Sequence, residues 1–161
     1  MPLTKDIVAT YFGPRRVMRH LMSIGCDESR ALMFLYGFCA ISFVAQTPRL
    51  ARQSHLTGQD ISALMGGTLL ATLLFLPLIF YGLAAITQLV RCCLRRPGTG
   101  FGARLSLFWS LLATTPILLL HGLVAGFLGA GSALNIVSVV WFGFFLWFWF
   151  ETFRVSGELS S

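Results

Sequence analysis

Four stretches of this chain are almost entirely apolar. They run from Ala31 to Gln46, where Thr47-Pro48 closes the first, from Ile61 to Val90, from Leu105 to Gly131, and from Leu134 to about Phe153. A helix needs about 17–25 apolar residues to cross the hydrocarbon layer. The pattern therefore predicts four spans, at about 31–48, 62–90, 105–129 and 134–153. The runs are too continuous for the in-out alternation of a membrane barrel, and a helix satisfies its own backbone polar groups in lipid. The expected fold is all-α, a polytopic transmembrane helical bundle. The second and third runs exceed one crossing and must tilt, kink or project. Each holds a proline, Pro77 and Pro116, so kinks are expected there.

Residues 1–30 form a polar and basic segment ahead of the first run, too long for the n-region of a cleavable signal. Ser23-Ile24-Gly25-Cys26 faintly resembles a lipoprotein cleavage site, but Arg15, Arg16, Arg19 and His20 interrupt the apolar stretch that such a site needs. From Pro14 to Ile24, Val17, Met18, Leu21 and Met22 share one helical face and the basic residues fall largely on another. With Pro14 suited to a first turn, this predicts an amphipathic helix over 14–24 on the inner leaflet, its basic face toward anionic headgroups. A surface helix packed on the loops is the alternative. Asp27 is placed to cap the helix entering the first span, and Thr57-Gly58-Gln59-Asp60 reads as a capping box before the second, with Asp for the usual Glu. Gly129-Ala130-Gly131-Ser132 reads as a short uncharged turn. Trp147, Trp149 and Phe150, next to Glu151 and Arg154, match an interfacial aromatic belt.

Charge orients the spans. Four crossings put the N-terminus, the 91–104 loop and the 154–161 tail on one side. That side holds Lys5, Arg15, Arg16, Arg19, Arg30, Arg91, Arg95, Arg96, Arg104 and Arg154, whereas the other holds Arg49 and Arg52. The positive-inside bias makes the first side cytoplasmic. A fifth span would move only Arg154, so the charges leave five spans open. Charged residues are 11% of the chain against the roughly 25% usual in soluble domains, and hydrophobic residues are 56%. The net charge of +6 sits beside the apolar runs, which favours lipid headgroups over nucleic acid, and no nucleic-acid motif is present. Cys26, Cys39, Cys92 and Cys93 form no spaced framework, and no disulfide is expected.

Few groups offer chemistry. His121 lies well inside the third run, and intramembrane ionisable groups are functional candidates by default. The bland reading is a neutral imidazole bonded to a neighbouring helix. No Asp, Glu or Lys occurs from Ile61 to Phe150, so a proton relay lacks its usual partners. Gly122 and Gly126 make a GxxxG pattern, followed by Gly129, which allows close helix approach within the fold or across a dimer. Ser110 and Thr114 can add interhelical hydrogen bonds, and Thr68 and Thr72 repeat their spacing.

Arg91, Arg95, Arg96 and Arg104 in the inner loop, with Arg15, Arg16 and Arg19 before the first span, are the candidate contacts to lipid or an acidic partner. The same charges serve as topology determinants. Cys92 and Cys93 with Cys26 and His20 have donors that suit zinc, but their spacing fits no zinc motif, and no metal or cofactor is expected. Gly98-x-Gly100-x-Gly102 lacks the context of a phosphate loop. No GxSxG, HExxH or intramembrane aspartate pair occurs. Ser110 and His121 stand about 16 Å apart along a continuous helix, too far for a nucleophile and its base.

One set of motifs has a familiar order. Phe75-Leu76-Pro77 leads through Leu89-Val90 to the basic tract Arg91-Cys92-Cys93-Leu94-Arg95-Arg96. Gly98-Thr99-Gly100-Phe101-Gly102 follows, and then Leu107-Phe108-Trp109-Ser110 with Pro116 beyond it. Tyr11-Phe12-Gly13-Pro14 adds an aromatic-Gly-Pro motif before the first span, without the acidic residue often found there. From about residue 7 to 153 the chain resembles the bacterial branch of the Yip1 family of multi-pass membrane proteins. The resemblance implies about five spans and a small bacterial-type membrane protein. Eukaryotic relatives are linked to Rab GTPases through a longer cytosolic region, so GTPase binding is not carried over to this chain.

Together these readings make the chain a non-enzymatic protein of the bacterial inner membrane with its N-terminus in the cytoplasm. It would act through helix packing and basic inner-surface contacts with lipid, a second copy or another membrane protein. The alternative is a small transporter or channel subunit with His121 in the pathway.

Overall fold

The computed structural model describes residues 3–25, 27–93 and 99–158, and helices make up nearly all of them. They are α1 (Leu3–Phe12), α2 (Pro14–Ser23), α3 (Glu28–Thr57), α4 (Ile61–Cys93), α5 (Gly100–Ala113), α6 (Thr115–Phe127) and α7 (Ser132–Glu158). No strand occurs among the described residues, and the all-α bundle is as the apolar runs predict. Three helices, α3, α4 and α7, are long and apolar enough to cross a membrane. The α5–α6 pair makes a fourth if it is counted as one span. Only 17% of the apolar window of α4 and 11% of that of α7 are buried inside the protein. Leu74, Leu78, Ile79, Ile136 and Val139 are among the large side chains left facing outward. Exposed apolar surface of this extent needs a hydrocarbon solvent, and the protein is membrane-embedded.

The hub is α5. Every residue from Phe101 to Ala113 except Arg104 is buried. A helix apolar on all sides belongs in an interior, and α1, α3, α4 and α7 all pack on this one. Trp109, fully buried, meets Phe34 of α3 edge-on at 5.0 Å between ring centroids, and Phe108 meets Tyr81 of α4 at 5.1 Å.

At Thr114 the chain bends by 47° into α6. Pro116 causes the break, because it has no N–H for the carbonyl of Leu112. The Thr115 hydroxyl donates to that carbonyl instead, at 2.7 Å. In α4 a π-helical turn over Ala71–Phe75, closed by the Leu76 N–H on the Ala71 carbonyl, accompanies Pro77. The wider turn lies just ahead of the proline and takes up the disruption.

Several boundaries differ from the sequence reading. Pro48 does not close the first span. The α3 helix runs through it to Thr57 and ends at Gly58, whose φ of 68° suits glycine, with the Gly58 N–H on the Ser54 carbonyl at 2.9 Å. Asp27 caps α3 as expected, accepting from the Ser29 N–H at 3.0 Å. The capping box at Thr57 does not form. Asp60 itself caps α4 through the Ser62 N–H at 3.1 Å, and the Thr57 hydroxyl donates to the Gln53 carbonyl. The 91–104 loop is shorter than expected because α4 continues to Cys93 and α5 begins at Gly100, capped by Thr99. The tail is not free either, since α7 runs on to Glu158 and buries Val155 and Ser156.

The N-terminal segment shows the largest departure. Pro14 does start α2, but the apolar face of α2 is covered by protein, with Met18 and Leu21 buried and α7 alongside. Ahead of it lies α1, which the apolar pattern does not predict. Its Thr10 hydroxyl accepts from the Trp109 indole N–H at 3.2 Å. The Tyr11 hydroxyl donates to the Ala113 carbonyl at 3.1 Å, and burial pushes its pKa up, which keeps that proton in place. The N-terminal hairpin is thus part of the core, wedged against α5 and α7.

Candidate functional site

Most arginines at the α2 end of the bundle serve as braces. Arg15 pairs with Glu151, joining α2 to α7. Arg104 forks onto Glu28, with Nε 3.2 Å from Oε2, joining α5 to α3. Arg30 donates to the carbonyls of Leu21 and Gly25 at 3.0 and 3.3 Å. Arg91 is buried, contrary to its expected place at the headgroups. It donates to the Phe153 carbonyl at 2.7 Å and to Ser156 Oγ at 3.0 Å, and its guanidinium lies 3.8 Å from the Phe153 ring centre. The cause is local: α7 extends past Arg154 and covers it. Arg16 and Arg19 are on the surface. Arg95, Arg96, Gly98 and Cys26 lie outside the described residues. Among the described residues no three His, Cys, Asp or Glu side chains converge on a metal-sized site.

The glycine pattern faces α3 of the same chain. A Cβ on Gly122 would overlap the Ala45 carbonyl, and one on Gly126 would overlap Pro48. Ser110 reaches Thr152 of α7 at 3.2 Å, an interhelical contact, whereas Thr114 donates within its own helix to the Ser110 and Leu111 carbonyls. Thr72 accepts from Gln46 of α3 at 3.4 Å.

This close seam builds a cavity at the end of the bundle away from α2. It has a volume of about 640 Å³. Arg49, Arg52, Gln53 and Leu56 of α3, His121 and Ala125 of α6, Gly129 and Ala130 of the following turn, and Leu134 of α7 line it. Because α3 continues through Pro48, Arg49 and Arg52 stand one turn apart and share a face. Arg52 reaches the Phe127 carbonyl at 3.4 Å, at the C-terminus of α6, where a cation is favoured. Its guanidinium lies against Gly129, whose φ is 77° and whose missing side chain leaves the room.

His121 Nε2 is 3.0 Å from Ser138 Oγ on α7. The Ser138 hydroxyl donates to the Leu134 carbonyl at 2.8 Å, so Nε2 carries the hydrogen and donates to Oγ. Two guanidinium groups, an imidazole and an amide thus meet in a space whose lining includes no carboxylate. Such a lining attracts anions. It offers hydrogen-bond donors to such a ligand.

Sequence reasoning found His121 and Gly129 but missed Arg49, Arg52 and Gln53. Their signal was present, as two arginines on the side that the charge bias leaves bare, but reading Pro48 as a stop removed the helix that unites them. Comparisons with protein-family models, with curated proteins and with solved structures find nothing that matches this chain.

Proposed function

We propose that this chain is a non-enzymatic, multi-pass protein of a bacterial inner membrane, Yip1-like in the order of its motifs, that binds an anion in the cavity of Arg49, Arg52 and His121. The N-terminus is cytoplasmic in this reading, so the cavity opens on the outer side. One observation carries it: both arginines on the sparsely charged side, with His121 from α6, line a single cavity of about 640 Å³. Ligand sites usually have volumes of about 300–1,000 Å³. Contacts of the inner surface with lipid or a partner carry less of the function, since Arg15 and Arg104 are in ion pairs and Arg91 is buried.

Binding of an anion to the native state raises the unfolding temperature by linkage. The test heats the detergent-purified chain with phosphate, sulfate and citrate in turn. At least one should stabilise the wild type. Arg52→Gln should weaken that anion's binding by about tenfold or more, as expected for losing a charge-assisted hydrogen bond. A wild-type protein indifferent to all three contradicts the reading. A second reading, passage of the anion through the protein, draws support from His121 lining the cavity. It requires flux in proteoliposomes that His121→Ala abolishes.

A further inference from the structure

We infer that the cavity takes the phosphate headgroup of a membrane amphiphile rather than a soluble anion, an inference that rests on the anion-binding reading above. The donors suit phosphate. Arg49 and Arg52 present two planar forks, with the Gln53 amide beside them. A carboxylate offers two oxygens, enough for one fork. A phosphodiester headgroup sets its two charged oxygens, with two ester oxygens, around a tetrahedron and not in one plane, so two cations can engage one group from different sides.

The walls point to what carries the phosphate. Leu56, Ala125 and Leu134 line the same cavity. Large apolar side chains stand exposed close by, with Leu56 at 70%, Phe127 at 81% and Leu128 at 65%. A soluble anion would make no contact with them, whereas an acyl or isoprenoid chain descending from the headgroup would pack on them. The cavity lies at the end of α6, the start of α7 and the last turns of α3, and in this reading that end of the bundle stands at the level of a leaflet's phosphates. Arginine is suited to that level, because its apolar stem lies along hydrocarbon while its head stays in the polar layer.

The test is native mass spectrometry of the full chain in detergent. Three probes are titrated separately: phosphatidylglycerol, phosphatidylcholine with the same acyl chains, and inorganic phosphate. Phosphatidylglycerol should bind at least tenfold more tightly than either of the others. Arg49→Gln and Arg52→Gln should each reduce its affinity about tenfold, and Lys5→Gln, in α1 and outside the cavity lining, should not. Leu56→Gln should weaken phosphatidylglycerol and leave inorganic phosphate unchanged, which separates the tail from the headgroup. The thermal midpoint of each variant without ligand reports its folding.

If inorganic phosphate binds as tightly as the lipid, with the same arginine dependence, the amphiphile inference fails while anion binding stands. Lipid binding indifferent to both arginines overturns the inference, since the headgroup would then lie elsewhere. Failure of all three probes removes both readings.

Discussion

Replacing Gly122 by alanine is expected to destabilise the folded protein by about 3 kcal/mol or more, the upper range for an overpacked core. The added methyl would overlap the carbonyl of Ala45, which belongs to the backbone and cannot rotate aside. α6 must therefore lift away from α3. Gly126→Ala should act in the same direction, because its methyl would meet Pro48. Gly66 and Gly143 supply the controls: a Cβ at either has nothing within 4 Å. Alanine there should be neutral or stabilising by up to about 1 kcal/mol, since glycine is the poorer helix former. Unfolding in mixed micelles, followed by tryptophan fluorescence, measures all four. A Gly122→Ala protein as stable as the Gly66→Ala control would mean that α3 and α6 do not meet at this seam. The effect reaches the cavity as well, for His121 is the neighbour of Gly122 and would move away from Arg49 and Arg52.

The second large effect is expected at Trp109. Its side chain is fully buried, packed edge-on against Phe34, and its N–H is held by Thr10. Truncation to alanine leaves a cavity in the hub, worth about 3–5 kcal/mol for a large aromatic, and removes the tie between α5 and α1. Loss of stability should therefore come with faster proteolytic cleavage within the first 12 residues, the stretch that holds α1. Trp109→Phe retains most of the packing and loses the hydrogen bond, so it should cost about 1 kcal/mol. Equal, small losses in both variants would mean that neither the ring volume nor the bond holds the hub together.

Much of this architecture was legible in the sequence. The apolar runs mark α3, α4, α7 and the α5–α6 pair, because hydrocarbon burial demands continuous apolar stretches whatever the neighbours. Asp27 and Pro14 mark their helix starts because both act through the nearest turn of backbone. What could not be read depends on partners far away in the chain. A helix facing lipid and one buried in protein are both apolar on every side, so nothing local tells α5 from α4. The burial of α5 is set by Phe34, Tyr81 and Thr10, which arrive from three other helices. Arginine positions reveal a side of the membrane but not a partner, and Arg104 and Arg15 find Glu28 and Glu151 across the bundle. For the cavity, the deciding residue was Pro48. A proline removes one helical hydrogen bond, and packing of α3 along α6 offsets that loss, so the helix carries Arg49 and Arg52 onward to face His121.

In the proposed reading that cavity is a working site open to the outer side. Ala130 lines it and is exposed. The decisive measurement uses Ala130→Cys in a protein whose four native cysteines have been replaced, treated in intact cells with a membrane-impermeant maleimide. Labelling without lysis, slowed when the purified protein is saturated with its anion, is the expected result. Labelling that requires lysis, or that proceeds at one rate with and without the anion, would contradict it.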